Sequence, residues 1–263
     1  MSWTADRPAG DPWIAGQLWA GGYHEWLPPG QLRGALACFW VSVVPPDGGP
    51  SVTSVLPDGC IDLIWHAGHG AFLAGPDTAP HPITDPPGTV YVGARFRPGA
   101  GGPALGMSLA ELRDLRVDLT DLMPRLARQL PADLPPARAL RTAMAASAEL
   151  VTAGPPDPLV VQATRLLATG RTSVAELGRE LALSERQLRR RFDDTVGYGP
   201  KMMHRVLRFR QVLEQLTTTA MPVDLASLAV AAGFADQAHL TREMTRLAGQ
   251  PPAALARSFA AAA

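Results

Sequence analysis

One short segment, Ser184–Val196 (SERQLRRRFDDTV), constrains the fold of this chain more than any other. Its first residue and the glutamine three positions later have the spacing of a capping box, in which two side chains satisfy backbone donors at a helix start. Leu188 and Phe192 are four residues apart and share one face of that helix, whereas Arg186 and Arg190 point the opposite way. The pattern therefore predicts a short helix with one apolar face and one arginine face.

A second short helix is predicted directly upstream. Ser173 and Glu176 form another capping box, and an apolar stripe follows at Val174, Leu177 and Leu181. Two short helices joined by a tight turn, with guanidinium groups on the free face of the second, make a helix-turn-helix. Arginine forks suit guanine edges and phosphate oxygens, because five fixed donors can engage two acceptors at once. An arginine-rich helix that merely faces water is the alternative, and this segment alone does not exclude it.

The motif occurs twice. Asp224 has the position of a cap at the start of one helix, a turn that holds Gly233 follows that helix, and Asp236 has the position of a cap at the start of the next helix. The apolar positions of this second copy are at helical spacing: Leu225, Leu228, Leu240, Met244 and Leu247. Between the copies, Pro200–Leu216 has the pattern of one connector helix, which could hold two recognition helices in successive major grooves of B-DNA, about 34 Å apart. A solvated face does not explain a duplicated motif, so we predict an all-α domain of two helix-turn-helix motifs joined by a connector helix.

At these residues the chain resembles the AraC/XylS family of bacterial transcriptional regulators, from about Asp157 to Ala256. The most specific stretch is GFADQAHLTREMTRLAGQPPAAL, which runs from Gly233 to Leu255. The positions that match the family pattern are Gly233, Phe234, Asp236, Gln237, Leu240, Arg242, Gly249 and Pro252. An aromatic residue is usual at three further positions, where this chain has other apolar residues that still suit packing: Met203, Met244 and Leu255.

The resemblance implies that both recognition helices read base edges. In the first motif these contacts would come from Arg186, Arg189 and Arg190. In the second they would come from residues that the helical wheel places opposite the apolar stripe or at its edge: Gln237, Ala238, Thr241 and Arg242. The connector helix adds Arg205 and Arg208, which we also predict to contact DNA. Because the first face is strongly cationic and the second nearly neutral, we expect the first motif to supply most of the affinity and the second to read mainly by van der Waals contact.

The two halves of the chain carry opposite charges, although the net charge is zero. Residues 1–156 contain 10 basic and 14 acidic residues, whereas residues 157–263 contain 14 basic and 10 acidic ones, which gives −4 and +4. An acidic module joined to a basic one is typical of a DNA-binding domain tethered to a domain with another task. We place the boundary at the stiff linker Gly154-Pro155-Pro156, so that the domains are 1–156 and 157–263.

The amino-terminal half predicts a small antiparallel β barrel or sandwich with helices. Its strand candidates, each bounded by turn residues, are Leu36–Val44, Ser51–Leu56, Cys60–Trp65, Ala71–Gly75 and Thr89–Phe96. Its amphipathic helix candidates are Ser108–Leu115, Thr120–Leu130 and Pro136–Ala153. This order of elements is similar to the cupin-like effector domain of many AraC-type regulators, and PDGCIDLIW with GARFRPG resembles the amino-terminal module of a subset of uncharacterised ones. The whole chain is therefore expected to be a two-domain α+β protein.

An effector site is predicted on one strand of this half. The period of two places Cys60, Asp62 and His66 on one face, where they could line an effector pocket or, with His69 or His81, bind a metal. The missing close-spaced ligand pair disfavours the metal. A packed cysteine and a hydrogen-bonded aspartate are the alternative without any ligand.

Two arginines on a neighbouring strand, Arg95 and Arg97, share one face and could clamp an anionic effector. Pairing with Asp58 or Asp62 explains them equally well. Only two cysteines are present, which is too few for a disulfide framework or a four-thiolate zinc site. We therefore predict no cofactor and no metal, and redox or metal sensing by Cys60 is the alternative.

Together these features predict a one-component, sequence-specific transcriptional regulator that binds double-stranded DNA. We expect an activator that positions RNA polymerase, with a small-molecule effector or an assembly role in the first domain. The helices between residues 108 and 153 could also form a homodimer contact. The tryptophan-rich start, residues 1–30, leaves open an adaptor whose first domain binds another protein.

Other classes of protein fit the sequence less well. No GxSxG, HExxH or phosphate-binding glycine loop occurs in a suitable context, and two isolated cysteines cannot supply zinc-activated alkyl transfer, so no enzyme is expected. With no secretory signal and no apolar stretch of about 18 residues, we expect a cytoplasmic protein that does not contact a membrane.

Overall fold

The computed structural model describes residues 21–170, 172–218 and 223–262, so most of the predicted tryptophan-rich start, with Trp3, Trp13 and Trp19, lies outside the described residues. The strands are β1 Gly22–Trp26, β2 Leu36–Val43, β3 Ser51–Val55, β4 Ile61–His66, β5 Gly70–Ala74, β6 His81–Asp85, β7 Val90–Phe96 and β8 Arg116–Asp118. The helices are α1 Gly101–Leu105, α2 Leu119–Leu122, α3 Pro124–Ala127, α4 Pro136–Ala153, α5 Pro158–Ala168, α6 Val174–Glu180, α7 Glu185–Val196, α8 Pro200–Thr218, α9 Leu225–Ala231, α10 Gln237–Ala248 and α11 Pro252–Ala262. Short 3-10 turns occupy Gly30–Leu32 and Leu109–Leu112.

The amino-terminal part is an open antiparallel sheet. Its strand order is β1-β2-β7-β4-β5-β8, and β3 pairs with β6 in a separate two-stranded ribbon. The predicted class, an antiparallel β domain with helices followed by a helical domain, is confirmed. The sheet is not closed into a barrel, because β1 and β8 are its opposite edges and β3 and β6 pair only with each other.

One face of this sheet is buried, and the alternation is clearest on β4. On β4, Ile61, Leu63 and Trp65 are at most 2% exposed, whereas Asp62 and His66 lie on the less buried face, as the period of two predicts. Helix α4 covers the buried face, because its apolar residues belong to the same hydrophobic cluster as β2, β4 and β7. The indole of Trp65 closes that core and donates Nε1–H to the carbonyl of Pro131 at 2.8 Å.

Of the three helices predicted in this half, one has the predicted bounds. Helix α4 spans Pro136–Ala153. The prediction for 108–115 was wrong beyond one 3-10 turn, because the backbone is extended at Arg113 and left-handed at Asp114, with φ of 59°. The prediction for 120–130 was wrong in its continuity, because Pro124 has no amide hydrogen to donate within a helix and instead starts α3.

The carboxyl-terminal part contains two hydrophobic clusters, one for each helix-turn-helix. Helices α5, α6 and α7 contribute to the first cluster, and α9, α10 and α11 contribute to the second. Helix α8 belongs to both, since Val206 and Leu207 pack in the first and Phe209 and Val212 in the second. One continuous helix therefore sets the spacing of the two motifs, as predicted for a connector.

The sheet part and the helical part pack directly on each other. Arg113 donates Nε–H to the carbonyl of Gly197 at 2.6 Å, and the amide of Asp157 donates to the carbonyl of Gly99 at 3.0 Å. Backbone approaches backbone at Gly102, where an added Cβ would lie 2.4 Å from the carbonyl oxygen of Asp194. Within the described residues, no helix combines the length and apolar character that crossing a bilayer requires.

Candidate nucleic-acid interface

The first recognition helix, α7, starts and faces inward as its sequence predicts. Ser184 Oγ accepts a hydrogen bond from the amide of Gln187 at 3.2 Å, and Gln187 Oε1 accepts one from the amide of Ser184 at 2.9 Å. Leu188 and Phe192 are buried in the first cluster. Gly197, in the left-handed region with φ of 92°, ends the helix. Both ends and the inner face of α7 are thus fixed by the protein, which leaves its outer face for a partner.

Three arginines occupy that outer face and are exposed: Arg186, Arg189 and Arg190. Arg189 Nε lies 3.5 Å from Asp193 Oδ2 one turn along the helix, yet 75% of the Arg189 side chain stays accessible. An exposed pair of this kind contributes little free energy, so it does not withdraw the guanidinium from other partners. The amino-terminal end of a helix also attracts anions through its free amide groups. This end of α7 therefore suits phosphate oxygens and guanine edges.

Arg191, the next residue of α7, contacts the protein itself. Its Nη1 lies 2.6 Å from Asp157 Oδ2, while Asp157 Oδ1 accepts from the amide of Leu159 at 2.9 Å and so caps α5. The sequence pattern gave no sign of this ion pair, because the two residues are 34 positions apart. The contact fastens the recognition helix to the helix that precedes the motif.

The second recognition helix, α10, presents a nearly neutral face. Asp236 Oδ1 caps it by accepting from the amide of His239 at 2.6 Å. Leu240, Met244 and Leu247 are buried beneath it. The residues predicted to read bases are Gln237, Ala238 and Arg242, which are exposed, and Thr241, which is partly exposed. The structure thus brings these four side chains to one outer face.

The two arginines predicted on the connector helix have partners within the protein. Arg205 forms a two-bond ion pair with Glu243 of α10, with Nε to Oε2 at 2.5 Å and Nη2 to Oε1 at 3.1 Å. Burial raises the pKa of Glu243, but the hydrogen bonds and charge of Arg205 outweigh it, so the pKa is lowered overall. Arg208 donates Nη1–H to the carbonyl of Gly233 at 2.8 Å and lies 4.5 Å above the ring of Phe234. These contacts favour a role in holding α8 against the second motif over the predicted contact with DNA.

The structure brings together only some of the residues predicted to form an effector site. Arg95 and Asp62 pair with each other, with Arg95 Nε 3.1 Å from Asp62 Oδ1, and both side chains are 13% exposed. Trp40 donates Nε1–H to the same Asp62 oxygen at 2.7 Å, and Arg95 also lies 3.6 Å from Asp58. Burial raises the pKa of Asp62 in spite of the adjacent Arg95. The ion-pair alternative considered for these side chains is therefore the arrangement that the structure has.

Of the other members of the predicted effector set, Arg97 and His66 lie apart from that ion pair, whereas Cys60 lies beside Asp58. Arg97 donates Nε–H to the carbonyls of Arg33 and Leu36. Cys60 is buried, and burial followed by the charge of Asp58 raises the pKa of its thiol, so thiolate chemistry is not favoured. His66 lies at the far end of β4. In the described part of the chain, no three histidine, cysteine or acidic side chains are arranged to hold a metal ion.

Comparisons with known proteins agree with this arrangement. Residues 177–258 match the model of a helix-turn-helix domain, and residues 24–118 match a domain of unknown function (DUF6597). A search of curated proteins gives no significant match. The matched helix-turn-helix segment contains α7, α8 and α10, the helices that form the proposed interface.

Similar solved structures include a probable AraC family transcriptional regulator from Rhodopseudomonas palustris CGA009, with a TM-score of 0.35 and 19% identity over 39% of this chain and 98% of that chain. ToxT from Vibrio cholerae O395 has a TM-score of 0.42 and 10% identity over 82% of this chain and 96% of that chain. Wild-type ToxT from Vibrio cholerae strain SCE256 with a bound unsaturated fatty acid has a TM-score of 0.40 and 9% identity over 79% of this chain and 94% of that chain. At these TM-scores the likeness does not by itself define a fold.

Two helix-turn-helix motifs on a shared connector helix define a DNA-binding protein of the helix-turn-helix class. The recognition helices of the two motifs, α7 and α10, are its first and second reader. More specifically, the chain carries an AraC-type helix-turn-helix domain at its carboxyl-terminal end and a DUF6597 domain before it.

Proposed function

We propose that this regulator binds double-stranded DNA through two successive major-groove segments and activates transcription by positioning RNA polymerase. The observation that carries the proposal is the outer face of α7, where three exposed arginines lie opposite a fully buried apolar stripe. Helix α8 joins this reader to α10, so both would engage one side of the duplex. Promoter specificity would arise from both readers together.

In this proposal the two recognition helices contribute differently to affinity and specificity. Arg186, Arg189 and Arg190 make base-edge and phosphate contacts and supply most of the affinity, because cations on α7 release counterions from DNA. Gln237, Ala238, Thr241 and Arg242 refine specificity at the second segment. Arg205 and Arg208 act through the protein by holding α10 and the turn before it.

The amino-terminal sheet part has a regulatory role in this proposal. We place the domain boundary at Gly154-Pro155-Pro156, so that residues 1–156 form a domain which biases how residues 157–263 engage a promoter. A small-molecule effector is the favoured signal, since α1 and the 109–112 turn pack directly on α7 and could transmit a change to it. We place the protein in the cytoplasm, where promoters and RNA polymerase are found. Assembly as a homodimer would double the number of readers on the duplex.

The test begins with selection of bound fragments from random DNA by the full chain, followed by footprinting. Arg190→Ala is expected to weaken binding to the selected site by about 1–3 kcal/mol and to relax base preference at one position. Arg138→Ala removes an exposed arginine from α4 and is the matched control, with no expected change. Unchanged footprint and base preference for Arg190→Ala would contradict the reader assignment. Transcription with purified RNA polymerase from a promoter carrying the selected site tests activation, and loss of transcript on adding the protein would contradict it.

A further inference from the structure

An open cleft of about 600 Å³ lies between the β3–β6 ribbon and the end of the main sheet. One wall is β6 with the loop that follows it, and the other is formed by the ends of β4 and β7. The side chains with chemistry to offer a ligand are His66, His69, His81, Thr84, Asp85 and Tyr91. Only His66 belongs to the effector set predicted from sequence.

Aromatic rings form one wall of this cleft. The imidazoles of His66 and His69 stack with centroids 4.0 Å apart and planes at 13°, and His66 also meets the ring of Tyr91 at 4.3 Å. Because His66 has a ring on each face, a flat ring in a ligand would extend this stack at His69 or Tyr91 or pack against its edge. Burial, followed by the charge of His69, lowers the pKa of His66, so this part of the wall is neutral near pH 7.

A carboxylate lies beside that aromatic wall. Asp85 is 9% exposed, and its Oδ1 accepts a hydrogen bond from the hydroxyl of Tyr91 at 2.8 Å. No described residue donates to Asp85 Oδ2, and no lysine or arginine lines the cleft within the described chain. A ligand cation could therefore pair with this oxygen, whereas a ligand carboxylate would meet like charge.

We propose that this cleft binds an organic cation built on a flat aromatic ring, such as an arylalkylamine. The ring packs against the stack formed by His69, His66 and Tyr91, and the ammonium group donates to Asp85. Aromatic faces also attract cations through their quadrupole, which reinforces the same choice. The inference deepens the proposed function, because such a ligand would be the effector.

The cleft is connected to the second reader through a short loop. Pro80, which directly precedes β6, lies against the end of α10, since an added Cβ at Gly249 would be 3.4 Å from Pro80 Cγ. The loop is held on its other side by the ion pair of Asp77 with Arg116, at 2.7 Å. A ligand that shifts β6 would therefore act on the recognition helix through this proline.

Calorimetric titration of the full chain with tryptamine, phenethylamine and histamine tests the inference, with indole-3-acetate as the matched acid. We expect saturable binding of at least one amine and binding of the acid weaker by about tenfold or more. Asp85→Asn should weaken amine binding by a similar factor, while Asp47→Asn, an exposed carboxylate in a loop outside the cleft, should leave it unchanged. Absence of binding by all three amines, or equal binding of the acid, would overturn the inference.

A second measurement does not depend on the stability of any variant. The bound amine should protect His66, His69 and His81 of the full chain from diethyl pyrocarbonate while leaving His24 reactive. Saturable amine binding that protects none of the three would place the ligand elsewhere and overturn the inference. DNA selection separates this inference from the proposed function. If the chain selects a DNA site yet binds no amine, the proposed function stands and the assignment of the cleft fails. If it binds an amine yet selects no DNA site, the assignment of the cleft stands and the proposed function fails.

Discussion

At the scale of the residue, arginine has two different tasks in this protein. The arginines on the outer face of α7 are exposed, whereas Arg191 and Arg205 are each paired with a carboxylate. Burial of the ion pair separates the two tasks, because Arg189 also lies near a carboxylate yet stays 75% exposed, whereas Arg205, bonded twice to Glu243, has fewer donors for DNA. The residue type and the helical wheel alone do not separate these two groups.

The pair formed by Arg205 and Glu243 gives the first prediction. Arg205→Ala and Glu243→Gln should weaken binding at the second DNA segment to a similar extent, because each removes the same link between α8 and α10. The double variant should be little worse than either single one, with a coupling of about 0.5–3 kcal/mol in a double-mutant cycle. Affinity for the selected site, measured by fluorescence anisotropy, gives all four corners of the cycle.

The salt dependence of binding separates positioning by Arg205 from a phosphate contact. A positioning residue leaves the slope of log affinity against log salt unchanged, whereas loss of a phosphate contact reduces it by about 1. Glu149→Gln, an exposed carboxylate on α4, is the matched control for Glu243→Gln. Additive effects together with a reduced slope for Arg205→Ala would restore the original prediction that Arg205 contacts DNA.

At the scale of the element, local signals were predictable and pairings between distant residues were not. The start of α7 was predicted because Ser184 and Gln187 are three residues apart, and the faces of β4 were predicted because alternation is local. Strands β1, β6 and β8 were missed. β1 lies in the tryptophan-rich start, β6 contains Pro82, a residue that strands avoid except at edges, and β8 has only three residues.

The predicted site shows the same limit. The period of two correctly placed Asp62 and His66 on one face of β4. It could not show that Asp62 is already paired with Arg95, which lies 33 positions later on β7. Tyr91 and Asp85 were missed, because the pairing of β4 with β7 places Tyr91 opposite His66 and the hydroxyl of Tyr91 in turn binds Asp85 of β6.

The close contact of α1 with α7 gives a prediction at the same scale. Gly102→Ala should destabilise the protein by about 1–3 kcal/mol, because the added Cβ would lie 2.4 Å from the carbonyl oxygen of Asp194 and would push the two helices apart. Gly30→Ala is the matched control, since its added Cβ meets nothing within 4 Å. Urea unfolding measures both variants, and equal stability of the two would show that the packing of α1 on α7 tolerates a methyl group.

At the scale of the whole molecule, a chain with zero net charge has to attract a polyanion. The acidic half, at −4, is packed against the basic half, at +4, so long-range attraction between the complete protein and DNA is weak. Binding must therefore come from cations that are concentrated on one surface. The outer face of α7 is such a surface, because the 109–112 turn and α1 contact its other sides and leave its arginines accessible.

This arrangement predicts that the affinity of the full chain for DNA depends steeply on salt, although the net charge of the chain is zero. Each phosphate neutralised contributes about −0.9 to the slope of log affinity against log salt, since bound counterions are released. Arg189→Ala should make the slope shallower by up to about 1, whereas Gln237→Ala should alter base preference and leave the slope unchanged, because it removes no charge. Gel shifts on the selected site between about 50 and 200 mM salt measure both quantities. An affinity that stays constant over this range would mean that α7 does not meet the phosphate backbone, and the first reader would then have to be sought on another surface.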